Sequence, residues 1–153
     1  MPEMETEQRK LSRVMDIIFI ASAIIFFILV SGIFITSKFG YLVLRWVLGA
    51  LVMFLIVPFT VVLIGNLKEK AEKPVIISLL VILFYLLLEL TLDYILRIPF
   101  REMPALHIFY IIVLYVASFN MIGVSFRINW KMGFVVTITF WLSLGSLIYM
   151  YLG

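Results

Sequence analysis

The chain has 153 residues, 65% of them apolar and 14% charged, with no cysteine and a mean hydropathy of +1.21. Soluble domains run nearer half apolar and a quarter charged, and a domain this small cannot bury such an excess, so composition excludes a soluble globular chain and, by its hydrophobicity, a disordered one. The net charge of +3 comes from basic residues dispersed among the polar segments, a pattern that speaks for membrane topology and against nucleic acid as a partner.

A helix needs about 20 apolar residues to cross a bilayer, and five runs qualify. They predict an all-α, polytopic membrane protein, a bundle of five transmembrane helices forming a single transmembrane domain over residues 1–153. Residues 1–12 read as a polar cytoplasmic tail, mobile or a short interfacial helix. The first span covers about residues 15–37. It is too long for the apolar core of a cleaved signal, typically about 7–15 residues, and its small-residue triplet Ala21-Ser22-Ala23 lies inside the run. A retained anchor is expected, with Asp16 near its start pairing with Arg13 or capping the helix.

The second span covers about residues 42–65. Arg45 lies about one turn inside one end of it. Pro58 removes a backbone donor and predicts a kink, with Thr60 placed to satisfy the freed carbonyl. Tyr41 and Trp46 suit an interfacial belt. The loop that follows, Asn66-Leu67-Lys68-Glu69-Lys70-Ala71-Glu72-Lys73, is basic. Pro74 suits the first turn of the next helix, where a missing N–H costs nothing.

The third span covers about residues 75–96 and contains two acids, Glu89 and Asp93. Four residues apart on an α-helix, they share a face with each other and with Tyr85. Arg97 continues the series, so Asp93 is expected to pair with it. The next loop carries Pro99, Arg101, Glu102 and Pro104. The fourth span covers about residues 106–126. His107, Tyr110, Ser118 and Ser125 fall along one stripe of it. Asn120 lies off that stripe, where an interhelical hydrogen bond is the expected use. Trp130 belongs to a belt. The fifth span covers about residues 134–152, with Trp141 deep enough to predict a packing role and Tyr149 and Tyr151 forming a belt at its end. The small pairs Gly32/Thr36 and Thr139/Ser143 predict ordinary close helix packing.

Basic residues near span ends favour the cytoplasmic side. Arg9, Lys10, Arg13, Lys68, Lys70, Lys73, Arg127 and Lys131 fall on the side of the N-terminus; Lys38, Arg45, Arg97 and Arg101 fall on the other. The N-terminus is therefore expected in the cytoplasm and the C-terminus outside, in a multi-pass protein of the cytoplasmic (inner) membrane.

Ionisable groups inside spans are rare and face the protein interior or water. By depth, Glu89, Asp93, Arg45, Arg97, Arg101, Glu102 and His107 form one polar cluster in the extracytoplasmic half, with Tyr85 beside it. Three uses compete. The charges pair and fix helix register. A carboxylate exchanges a proton for a cation or cationic substrate. Or Glu89, Asp93 and His107 form a carboxylate–carboxylate–imidazole set for a metal or for catalysis. No spacing supports a metal motif, the lack of cysteine removes thiolate chemistry, and no nucleophile elbow, zinc-protease or phosphate-loop signature occurs. The expectation is no cofactor and no enzyme. The chain reads as a small membrane subunit or accessory protein acting through helix contacts. The alternative is a homo-oligomeric proton- or cation-coupled transporter or channel using Glu89 and Asp93. The partners expected are the lipid bilayer and either a second copy or a larger membrane subunit.

Overall fold

In the computed structural model, residues 2–97 and 103–152 are described. Arg101 and Glu102, assigned above to the polar cluster, lie outside them. The described residues form six α-helices and one π-helical segment: α1 (Pro2–Phe39), α2 (Leu42–Phe54), α3 (Ile56–Lys68), α4 (Lys73–Glu89), the π segment (Leu90–Ile95), α5 (Pro104–Ile128) and α6 (Trp130–Tyr151). They make five spans long and apolar enough to cross a membrane, at Arg13–Phe39, Leu42–Lys68, Lys73–Ile95, Pro104–Ile128 and Trp130–Tyr151. Each expected span is present. The chain is an all-α multi-pass membrane protein.

The ends of the helices follow local chemistry. Pro74 and Pro104 occupy first turns, where no intrahelical donor is needed. Gly40 takes φ +75° between α1 and α2, a conformation open to glycine, and lets the Tyr41 N–H close back on the Thr36 carbonyl at 3.0 Å. Asn129 alone separates α5 from α6, and its side-chain oxygen accepts from the Lys131 N–H at 2.9 Å. The polar residues ahead of the first span are not a separate interfacial element, because α1 runs unbroken from Pro2.

The second span is interrupted as its proline predicts. α2 stops at Phe54 and α3 restarts at Ile56. A proline ring clashes with the carbonyl four residues back, which here is that of Phe54. The Leu55 N–H tightens onto the Val52 carbonyl at 3.0 Å. Thr60 does not serve the freed carbonyl; its hydroxyl donates to Ile56 O at 2.6 Å.

The spans close into a ring in sequence order. The first packs on the second and the fifth and also reaches the fourth, while the second meets the third, the third the fourth, and the fourth the fifth. Phe19, Phe26, Phe27, Phe59, Leu79, Ile82, Leu86 and Met121 fill the centre. Edge-on ring pairs lock it, with Phe19–Phe59 at 5.7 Å, Phe26–Tyr85 at 5.8 Å and Phe27–Phe140 at 5.7 Å. Such pairs add about 0.5–1.5 kcal/mol beyond their buried area.

Buried hydroxyls are satisfied within their own helices. Ser31 donates to Phe27 O, Ser118 to Leu114 O and Ser125 to Met121 O, each at 2.8 Å. Asn120 does the same, donating to Val116 O at 2.7 Å, so the expected interhelical bond is replaced by a local one. Gly32 lets α2 come close; a Cβ there would sit 3.1 Å from Leu48. Trp46, Trp130 and Tyr41 are exposed, as belt residues should be, but so is Trp141 at 61%. Trp141 faces outward from the bundle, and the expectation of a packing role is corrected.

Candidate functional site

The polar residues gather toward the end of the bundle that holds the C-terminus. Tyr85 and Glu89 are one α-helical turn apart on α4, and the Tyr85 hydroxyl donates to Glu89 Oε2 at 2.8 Å. The Tyr110 hydroxyl of α5 lies 3.0 Å from that of Tyr85. Tyr85 has one hydrogen, and Glu89 takes it, so Tyr110 donates to Tyr85. The result is a directed chain, Tyr110 to Tyr85 to Glu89, that ties the third span to the fourth. Glu89 is 5% exposed and Tyr85 1%. Hydrogen bonds to a charged group are about twice as strong as neutral ones, which is what a carboxylate at this depth requires.

This chain does not close on itself. Glu89, Tyr85 and Tyr110 line a cavity of about 180 Å³ together with Arg45 of α2 and His107 of α5. The rest of the wall is mainly apolar, with Phe34, Ile111, Leu114 and Tyr151 among its members. A second cavity, of about 290 Å³, lies between α2 and the π segment and is lined by Arg45, Glu89, Asp93, Trp46, Gly49 and Tyr94. Arg45 and Glu89 belong to both, so the two spaces share a wall.

The π segment explains the placement of Asp93. The Leu96 N–H bonds to Thr91 O at 2.8 Å, five residues back. A π turn holds more residues than an α turn, so the α-helical spacing that put Glu89 and Asp93 on one face fails from residue 90 onward. Glu89 reaches both cavities; Asp93 reaches only the second. Arg97 does not continue the series either. It lies beyond the helix with φ +50° and is exposed, and it lines neither cavity.

Of the six residues singled out from sequence, Glu89, Arg45, Tyr85 and His107 meet at the first cavity, Asp93 stands at the second, and Arg97 is outside both. Among the described residues no three of His, Cys, Asp and Glu come together to hold a metal ion. Tyr110 joins the site through its stripe position next to His107. Tyr94 and Gly49 were not foreseen. The Tyr94 hydroxyl donates to Trp46 O at 3.2 Å, and a Cβ on Gly49 would meet that same hydroxyl. The absent side chain at 49 is what lets Tyr94 bridge the two spans.

His107 has a further feature. Its Nδ1 is enclosed and has no hydrogen-bond partner among the described residues. A hydrogen placed there would be a buried donor without an acceptor, costing about 1–3 kcal/mol. A bare Nδ1 would equally be a buried acceptor without a donor, so either neutral form of the ring leaves this atom unsatisfied.

A different polar space exists at the opposite end of the bundle. Asp16, Asn66 and Arg127 line a cavity of about 210 Å³ with Phe19, Val62, Leu79 and Val124. Arg127 pairs with Glu72 at 2.8 Å across an exposed surface, where such a pair contributes little. Neither of the two partners expected of Asp16, Arg13 or a capped helix start, holds: α1 continues well before it, and among the described residues no ion pair joins it to Arg13. Comparison with protein families, with curated proteins and with solved structures finds no match for the chain.

Proposed function

We propose that the protein is a non-enzymatic membrane subunit that binds a small molecule inside its bundle and works beside a larger membrane protein or a second copy of itself. One observation carries this. The buried carboxylate Glu89, with its tyrosine donors, faces an open space instead of packing shut. Protein interiors are close-packed, and a network that served helix register alone would bury its polar atoms against one another. A cavity with convergent polar groups and apolar walls is the form of a ligand site. The bilayer is the cytoplasmic membrane with the N-terminus inside, a reading supported by the excess of basic residues on that side.

Native mass spectrometry of the chain, gently extracted from its own membrane, tests the reading. The expected result is a small retained mass, lost in Leu114→Trp, which fills the cavity without touching a polar group, and a complex with a larger subunit or a second copy. A bare, solitary chain would overturn it.

A second reading, transport, is favoured by the cavity at Asp16. Polar spaces lie at both ends of the bundle, with the aromatic centre between them. Proton or cation flux into proteoliposomes, abolished by Glu89→Gln, would support a carrier. Flux equal to that of protein-free vesicles would remove it.

A further inference from the structure

The cavity at the opposite end of the bundle from Glu89 holds a charge that its own walls do not answer. Asp16 comes to it from α1, Asn66 from α3 and Arg127 from α5, over a floor of Phe19, Val62, Leu79 and Val124, all buried. We propose that this cavity takes a primary ammonium group on an apolar stem, from a phospholipid headgroup or a free amphipathic amine, with the Asp16 carboxylate and the Asn66 amide oxygen as its acceptors. The inference goes beyond the reading of the Glu89 cavity and does not depend on it.

Charge sets the first limit. Arg127 is held by Glu72 at 2.8 Å, and Glu89, in the other cavity, receives the Tyr85 hydroxyl. Asp16 is half-buried, and among the described residues no hydrogen bond or ion pair reaches its carboxylate. Glu69, at the C-cap of α3, acts on it as a second negative charge. A carboxylate partly withdrawn from water calls for a cation. An anion is repelled, and a neutral guest leaves the charge unanswered.

Hydrogen bonding sets the second. The Asn66 Nδ2 donates to Val62 O at 2.7 Å. That bond fixes the way round of the amide, because its oxygen in the same place would face another acceptor. The oxygen is then the atom left to accept, on a residue that lines the cavity. A primary ammonium has three donors; Asp16 and Asn66 take two, and the third is left to water. A quaternary ammonium has none to give. Calcium asks for about 6–8 oxygen ligands, and among the described residues no group of three acids or histidines gathers to supply them.

Size and depth set the third. The cavity measures about 210 Å³. A cavity of about 150 Å³ holds a benzene ring, so this one has room for an ammonium and the carbons next to it, which the apolar floor covers. Asp16 and Asn66 each lie within about one turn of the end of their span, the depth at which lipid headgroups meet the hydrocarbon core.

The test is native mass spectrometry of the detergent-purified chain, titrated with two pairs of probes. One pair is dioctanoyl phosphatidylethanolamine and dioctanoyl phosphatidylcholine; the other is decylamine and decyltrimethylammonium. Within each pair the charge and the chains are the same, and only the primary member has N–H groups. That member should bind about tenfold more tightly, the effect of one hydrogen bond to a charged group. Asp16→Asn should abolish the preference, and Asp16→Glu, which returns the carboxylate, should restore most of it and guards against a variant that merely misfolds. Asn66→Leu should weaken the primary member about threefold, the effect of a neutral bond. Leu114→Trp, which fills the Glu89 cavity, should change nothing. A preference in the lipid pair alone would assign a headgroup as the source, and one in the amine pair alone a free amine. Equal binding within both pairs, or a preference that Asp16→Asn leaves intact, would overturn the proposal. A preference kept in Asp16→Asn and lost in Leu114→Trp would move the ammonium to the Glu89 cavity, overturning this assignment and leaving that cavity standing as a binding site.

Discussion

Glu89 survives in apolar surroundings because Tyr85 reaches it from one turn below. Removing that donor takes one hydrogen bond from the acid and one from the Tyr110 hydroxyl. Tyr85→Phe should therefore cost about 1–3 kcal/mol, the range for an unsatisfied buried partner, read as a lower midpoint in detergent unfolding. Arg45 borders both cavities that Glu89 borders, so the two should be energetically coupled. In a double-mutant cycle, Arg45→Met with Glu89→Gln should cost less than the sum of the single changes by about 0.5–3 kcal/mol, whereas additive losses would mean independent sites. The Tyr85–Glu89 bond was legible in the sequence because it obeys α-helical spacing. Asn120 and Thr60 were not, since a short polar side chain on a helix always has a carbonyl of its own preceding turn in reach. Nothing in the sequence says whether it will use that carbonyl or a neighbouring helix. Trp141 misled for a related reason. Depth along a span can be counted, but the side of the helix that meets lipid depends on partners that the count does not contain.

At the scale of elements, the two irregularities differ in how visible they were. The break in the second span is written in Pro58. The π segment has no such residue, and it changes the register after Glu89 so that Asp93 turns toward the α2 side and Arg97 drops out of the cluster. Opposite it, Gly49 leaves room for the Tyr94 hydroxyl that bridges to Trp46. This contact gives a prediction with a built-in control. Gly49→Ala should destabilise by about 1 kcal/mol, the lower end for overpacking a filled site. Adding Tyr94→Phe should recover part of that loss, because the ring carbon beneath the hydroxyl is 3.6 Å from the new Cβ, an ordinary contact. If the second change deepens the loss instead, the bridge to Trp46 outweighs the clash, and the joint between the second and third spans depends on that hydrogen bond.

For the whole molecule, the number of spans followed from apolar run length, which is a property of the solvent as much as of the chain. Ring order and the cavities did not, because which helices touch is decided by side-chain shape on faces that look equally apolar in sequence. Orientation stands between these. It rests on eight basic residues on one side, Arg9, Lys10, Arg13, Lys68, Lys70, Lys73, Arg127 and Lys131, against four on the other. The geometry bears on which of them count. Arg45 is half-buried and lines the two cavities, and Lys38 folds onto the end of α6, donating to Tyr149 O at 2.8 Å with its ammonium 3.7 Å from the Tyr149 ring centre. By the same measure Arg127 is engaged by Glu72, and setting aside all three leaves seven basic residues against two, still in favour of a cytoplasmic N-terminus. With five spans, a cytoplasmic N-terminus would put the C-terminus outside. A C-terminal alkaline phosphatase fusion, active only outside the cytoplasm, should give signal, while a cytoplasm-dependent fluorescent fusion at the same place should stay dark. The reverse pair of results would place the Glu89 cavity in the cytoplasmic half and the Asp16 cavity in the outer one. Replacing Lys68, Lys70 and Lys73 together by Gln should shift part of the population toward the inverted signal, since these three concentrate the inside charge in one short loop.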